Sequence, residues 1–355
     1  MRAFSAVGVA LHHLNVFPLG WIGVQVFYVL SGFLITGILI EAKDSSPTLG
    51  ALLKRFYYRR SLRIFPLYFA YLLFVVAASY LIPNASDQRT SFPWLATYTY
   101  NFYRVLHPSS TIGLGTHLWS LSIEEQFYLA WPLFVFFLTG KHFRIFATLV
   151  IVLSPLLRAS LLLTSRDPAL AAYFLTPYQL DGFAAGAVLS TLSVRQLTAL
   201  RKPLSAFLIL YALFVAIIWN RHEHLFGLLW PMHEGYGTWI WGYTLINLCA
   251  AALVIGCICR SPLSHLLEWS PIRYLGRISY GFYVWHVASV ILFAHLFQYL
   301  HLTRWRSPLG LLLLIGFLTF NTLVSALSFR FLEYPFMRFR HRVFAESSLV
   351  QAVTK

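Results

Sequence analysis

Long apolar blocks recur from the first residues of this chain to about Arg330, and most are long enough to cross a bilayer. They run roughly over 3–17, 20–41, 61–82, 118–139, 143–165, 174–193, 203–219, 239–259, 274–299 and 308–332, which makes about ten spans. Most exceed strand length and are broken by Pro, Gly and charges, so helices fit better than a barrel of alternating strands. Charged residues are 11% of the 355 positions against 58% hydrophobic, too few to coat a soluble globule. The predicted fold class is an all-α, polytopic transmembrane helical bundle. The segment 92–106, with Trp94, Tyr98, Tyr100 and Tyr103, is too polar for a span and reads as an aromatic helix at the interface.

The net charge of +15 raises nucleic acid as a partner, and the positions of the basic residues argue against it. With the N-terminus inside, cytoplasmic segments hold Arg2, then Lys43, Lys54, Arg55, Arg59, Arg60 and Arg63, then Lys141 and Arg144. Further along they hold Arg195, Arg201, Lys202, Arg260, Arg273, Arg277, Arg330, Arg338, Arg340, Arg342 and Lys355. Outside are only Arg89, Arg104, Arg166, Arg221, Arg304 and Arg306. The positive-inside rule therefore predicts both termini in the cytoplasm and an even span count. The first block lacks an A-x-A cleavage site and runs almost directly into the second, so it reads as a retained helix. Cys249, Cys257 and Cys259 share one apolar helix as packing residues, and neither a disulfide framework nor metal spacing is present. A single transmembrane domain over 1–335 with a basic tail over 336–355 is the economical organisation.

Ionisable groups at membrane depth are costly and are kept where a function or a pairing requires them. His12 and His13 follow an apolar run, and Arg2 stands eleven residues before His13, roughly 16 Å along a helix. The stretch Gly20 to Phe33 places glycines, with Ser31 and Gly32 at its end, where either another helix or a ligand can approach closely. The cluster from Lys54 to Pro66 is either topology signal and anionic-lipid contact or a phosphate clamp. In the second case Arg60 and Arg63, three apart on one helical face, jointly hold a multiply phosphorylated donor. Glu124 and Glu125 open a span and point about 100° apart, so one is expected to be buried and one peripheral. Asp181 is a candidate for the polar interior or for interhelical bonding, and His286 lies at a depth comparable with His13.

In order along the chain, these segments resemble the acyltransferase-3 family of membrane acyltransferases, which includes enzymes that O-acetylate bacterial envelope sugars. The resemblance rests on Arg2-x10-His13, Gly20-x2-Gly23-Val24 through Phe33, and Arg60-x-x-Arg63. It continues through the run from Ser120 to Pro132, Asp181-Gly182-Phe183, the run from Ile278 to His286, and Glu333-Tyr334-Pro335. In two respects the chain departs from relatives: many have a basic residue where Gln179 stands, and some carry an extra soluble esterase-like domain that does not follow here.

The resemblance implies transfer of an acyl group, acetyl above all, from cytoplasmic acyl-CoA to a hydroxyl of an envelope glycan or related acceptor. The setting is the inner membrane, with lipids as the other partners and no metal. Arg2, Arg60 and Arg63 are implied on the donor side, with Ser31 and Gly32 counted beside them. His13 is the essential histidine, and Glu124 aligns with the first glutamate of the family's pattern. An acceptor hydroxyl needs a base as it attacks. Neutral His13 supplies one, with Glu124 or His286 fixing its tautomer, and an acyl-histidine intermediate is the mechanistic rival. The competing function is a polytopic transporter or flippase, for which a charged central pathway and pseudo-symmetric halves are expected and not found.

Overall fold

The computed structural model describes residues 1–46, 48–81, 86–110, 113–221, 237–259, 267–302, 305 and 307–339. Among them the regular structure is helical throughout, with no strand. In chain order the first helices are α1 (Arg2–His13), α2 (Ile22–Asp44), α3 (Leu49–Leu81), α4 (Ser86–Thr90), α5 (Phe92–Ala96) and α6 (Tyr100–Leu106). Next come α7 (Trp119–Phe137), α8 (Gly140–Ala159), α9 (Leu161–Thr164), α10 (Pro168–Phe174) and α11 (Leu180–Ser190). The last are α12 (Val194–Arg221), α13 (Thr238–Ile258), α14 (Ser270–Arg277), α15 (Ser279–Tyr299) and α16 (Pro308–Ser328). Arg260, Arg304, Arg306, Arg340, Arg342, Lys355 and the side chain of Arg221 lie outside the described residues. So does the basic tail beyond Phe339.

Seven helical stretches are long and apolar enough to cross a membrane, and they coincide with seven of the ten expected blocks. The other three blocks hold α1 with 12 residues, α7 with 19 and α11 with 11. A crossing takes about 20 residues, so α1 and α11 are too short alone. Both are instead packed against longer helices. In the aromatic segment α5 packs beside α3 and α6 against α7 and α10, with Leu95, Tyr98, Asn101 and Tyr103 buried. Tyr98 stacks on Tyr68, thirteen residues and about 20 Å before the end of α3. Tyr98 takes φ 54°, and its carbonyl accepts from Gln126. Asn101 in turn donates to the Phe174 carbonyl and accepts from Gln126. Irregular backbone is tolerable inside a bundle because such partners satisfy it.

At the centre stands α2, which contacts α1, α7, α11 and α13. Its closest approach is to α11, and glycines make it possible. A Cβ at Gly32 would overlap the Phe183 carbonyl, and one at Gly186 would overlap the Val29 carbonyl. Gly182 and Gly186 form the small-xxx-small spacing that lets membrane helices touch backbone to backbone. Gly32 thus packs backbone to backbone against α11. Gly20 and Gly23 do the same between α1 and α2, where Cβ atoms would overlap or crowd the backbones of Gly8 and Ser5.

The far side of α11 is tied down by charge. Arg158 of α8 forms a fully buried ion pair with Asp181 at 3.1 Å. The guanidinium also donates to the carbonyls of Tyr178 and Ile240, while Thr244 bridges it to the carboxylate. Gln179, standing where relatives have a basic residue, instead accepts from Gln25 at 2.9 Å. Asp181 is therefore an interhelical tie supplied with a cation from another helix. Lys43 closes α7 by donating to the carbonyls of Val135 and Phe136, the favourable place for a cation on a helix. At the other end of the chain a π-helical turn, Phe329–Glu333, brings Glu333 inward against Gly281.

Removing one member of a buried pair leaves a charge without compensation and costs about 3–5 kcal/mol. Asp181→Ala is expected to lower the thermal unfolding midpoint of the purified protein markedly. Asp181→Asn, which keeps some of the hydrogen bonds, should fall between it and the unaltered chain. Equal midpoints for all three proteins would remove the pair from the fold's support.

Candidate active site

Two polar layers face the bundle interior; α7 contributes to the first, and the turn Thr116–Leu118 ahead of it to the second. The first lies toward the basic end of α3. The Arg60 guanidinium sits 4.0 Å over the Tyr128 ring. The Tyr128 hydroxyl donates to Glu124 at 2.7 Å and lies 3.2 Å from the Ser31 hydroxyl, which contacts Glu124 at 3.4 Å. Arg2 and Arg60 are both within electrostatic reach of this carboxylate. The layer borders a cavity of about 70 Å³ lined by Arg2, Ser31, Arg60, Arg63, Glu124 and Glu125 among others. Both glutamates flank it, so the expected split into a buried and a peripheral carboxylate does not hold. The cavity wraps around the face of α7 and reaches side chains 100° apart.

A wider groove of about 520 Å³ adjoins the cavity, lined by Arg55, Arg59, Arg60 and Arg63 with Glu41 and Ser45. Arg60 and Arg63 border both spaces. Four guanidinium groups against one carboxylate give the groove the character of a polyanion site. Its walls are half apolar through Ile35, Ile38 and Phe56.

The second layer is made of imidazoles. His13, at the end of α1, is exposed, whereas His286 and His117 are buried. The rings of His13 and His286 are 5.1 Å apart, and those of His286 and His117 are 4.7 Å apart. His286 donates from Nδ1 to the Tyr283 carbonyl, and His117 donates from Nε2 to the Val284 carbonyl at 3.0 Å. His12 turns away and donates to the Pro18 carbonyl at 2.9 Å. Tyr283 connects the layers: it lines the cavity, its ring is 5.2 Å from His286, and its hydroxyl bonds with Ser120.

The structure thus brings His13 together with His286, and Arg2, Arg60, Arg63, Ser31 and Glu124 together around the cavity. Glu124, expected as one possible partner of His13, instead takes Ser31 and Tyr128 as hydrogen-bond partners. Seven residues of helix separate it from His117, about 10 Å along the axis. Sequence reasoning missed His117, Ser120, Tyr128 and Tyr283. His117, Ser120 and Glu124 are spaced three and four apart, so one helix face carries all three, and that signal was available. Among the described residues no group of three or more His, Cys, Asp or Glu could hold a metal ion.

A family model described as an acyltransferase domain, the acyltransferase-3 model, matches residues 1–330. A Bacillus subtilis protein named provisionally as a peptidoglycan O-acetyltransferase is 28% identical over 376 residues, covering 97% of this chain and 56% of the relative. The peptidoglycan O-acetyltransferase of Listeria monocytogenes is 29% identical over 362 residues, with 94% and 54% covered. An O-acetyltransferase of Staphylococcus aureus is 27% identical over 363 residues, with 97% and 57% covered. The chain spans a little over half the length of each of these relatives. No solved structure matches it.

Because Arg60 shares its surroundings with Glu124, the two should be energetically coupled. Unfolding midpoints of Arg60→Met, Glu124→Gln and the double variant are expected to be non-additive, with the double variant more stable than the sum predicts. Groups in one network couple by about 0.5–3 kcal/mol. Strict additivity would separate them.

Proposed function

The chain belongs to the acyltransferase-3 family, and from that premise we propose that it is a multi-pass membrane O-acetyltransferase acting on a cell-wall glycan. Its donor is cytoplasmic acyl-CoA, and its acceptor is a hydroxyl of peptidoglycan or a related envelope polymer, as the names of its relatives suggest. The basic end of α3 then faces the cytoplasm of the plasma membrane. With α1, α7 and the α10–α11 segment counted as crossings, the chain makes about ten spans and keeps both termini inside.

The observation that carries this reading is the junction of an arginine-lined groove with a narrow cavity, beyond which stands an exposed imidazole. Coenzyme A bears a pyrophosphate and a third phosphate, which suit the groove's guanidinium groups. The pantetheine arm enters the cavity past Arg60 and Arg63, and the roughly 16 Å from Arg2 to His13 is a span that an extended arm can cover. The apolar groove walls accept the uncharged part of the donor.

At the second layer the acceptor oxygen attacks the thioester carbonyl carbon while His13 takes the hydroxyl proton. The carbon–sulfur bond breaks, and the thiolate leaves with that proton as free coenzyme A. In neutral His286 the proton sits on Nδ1, committed to the Tyr283 carbonyl, so its Nε2 is an acceptor for the N–H of His13. That interaction takes the part a carboxylate plays in a hydrolase triad. Arg2, Arg60 and Arg63 hold the donor, and Glu124 keeps Tyr128 and Arg60 in place.

In membranes supplied with labelled acetyl-CoA and peptidoglycan fragments, His13→Ala is expected to abolish label transfer and coenzyme A release while the protein still accumulates. Near-normal turnover would sink the assignment. Uptake of an unmodified solute without coenzyme A release would favour a transporter.

Arg60→Ala combined with Arg63→Ala is expected to raise KM for acetyl-CoA by about tenfold or more, since each charge-assisted contact contributes about 1.5–3 kcal/mol. An unchanged KM would return the cluster to topology and lipid contact.

A further inference from the structure

His117 stands outside every role given so far, and we infer that it is a positioning residue that acts on His13 through His286. The inference deepens the acyl-transfer reading above and rests on it.

Three imidazoles from three separate elements meet in sequence: His13 from α1, His286 from α15, and His117 from the turn Thr116–Leu118 ahead of α7. The inner two are 0% and 1% exposed. Each spends its ring N–H on a main-chain carbonyl of α15, His286 on Tyr283 and His117 on Val284. A carbonyl only accepts, so these bonds fix both tautomers. The remaining ring nitrogens, Nε2 of His286 and Nδ1 of His117, have no hydrogen-bond partner among the described residues. An unmatched buried acceptor costs about 1–3 kcal/mol. Two in adjacent rings are a cost the fold bears at one place, next to the imidazole that has to gain a proton.

No carboxylate is hydrogen-bonded to any of the three rings among the described residues. The pair of unprotonated nitrogens is then what the interior offers to an N–H of His13. His117 contributes through its ring. Its T-shaped contact, 73° between ring planes, holds His286 against rotation. Below it, the Tyr283 hydroxyl and the Ser120 hydroxyl both contact the His117 carbonyl, so the turn itself is anchored. In the transfer step the proton passes from the acceptor oxygen to His13 and then to the leaving thiolate. His117 keeps its own proton throughout.

Two substitutions separate positioning from plain support. His117→Gln reaches the Val284 carbonyl with its amide nitrogen as Nε2 does, and it lacks the ring that meets His286. His117→Phe keeps a ring against His286 and loses the bond to Val284. With the full-length chain in nanodiscs, His117→Gln is expected to lower kcat for acetyl transfer by roughly a hundredfold, the loss that goes with a catalytic group displaced by about 1 Å. Its KM for acetyl-CoA should stay within about twofold, since KM follows kept ground-state binding. His117→Phe should retain more of kcat than His117→Gln. The reverse order, with His117→Gln near normal, is what a purely structural bond to Val284 gives, and it would overturn the inference. A substrate-free measurement runs beside it: ¹⁵N-histidine spectra of the same samples report the His286 tautomer. A changed His286 signal in His117→Gln and an unchanged one in His117→Phe support positioning, while identical His286 signals in all three proteins refute it. If the unaltered chain releases no coenzyme A from acetyl-CoA, the acyl-transfer reading fails, and the spectra still decide whether His117 governs His286.

Discussion

Backbone contact between α2 and α11 sets the position of nearly everything else. In lipid there is no hydrophobic drive to press two helices together, so their approach has to be earned by van der Waals fit. Gly32 and Gly186 provide it by leaving no side chain between the two backbones. Because successive residues turn by 100°, the helix that buries Gly32 against α11 presents Ser31 toward Glu124 on α7. On α11, the side away from α2 offers Asp181 to Arg158. One glycine-lined crossing thus orients a cavity wall on one flank and a buried ion pair on the other.

The helix α7 then acts as a ruler between the two chemistries. Glu124 and Tyr128 belong to the arginine layer, His117 borders the imidazole layer, and Ser120 lies between them. Lys43 fixes one end of this helix, and the bonds of His117 and Tyr283 fix the other. A rigid rod held at both ends keeps the layers at a constant separation. Ser120, Glu124 and Tyr128 are therefore spaced by helix geometry rather than by loop conformation.

Much of this was legible in the residues. Seven of the ten apolar blocks are helices of spanning length, because uninterrupted apolar runs leave a chain few other options in lipid. The arginine cluster and the pairing of His13 with His286 could be read from depth along their helices. The short helices could not, since periodicity alone does not tell a crossing from a helix buried against its neighbours. Gly32 shows the same ambiguity at one residue: glycine permits close approach but does not say by what. The partner of Asp181 was invisible locally because Arg158 lies 23 residues earlier on another helix. Where the aromatic segment around Tyr98 packs was not legible either, because its polar residues, Asn101 among them, find their partners only in tertiary structure.

The tie between Arg158 and Asp181 also bears on how the chain is made. Synthesis places Arg158 in the membrane before its carboxylate exists, since 23 residues separate them. At about 5–20 residues per second that is a delay of roughly one to five seconds. An arginine at the centre of a span costs about 2.5–3.5 kcal/mol to insert, and less toward an end, where Arg158 stands in the last turn of α8. Until α11 arrives that cost stands uncompensated, so the tie bears on the order in which the bundle comes together as well as on its finished form.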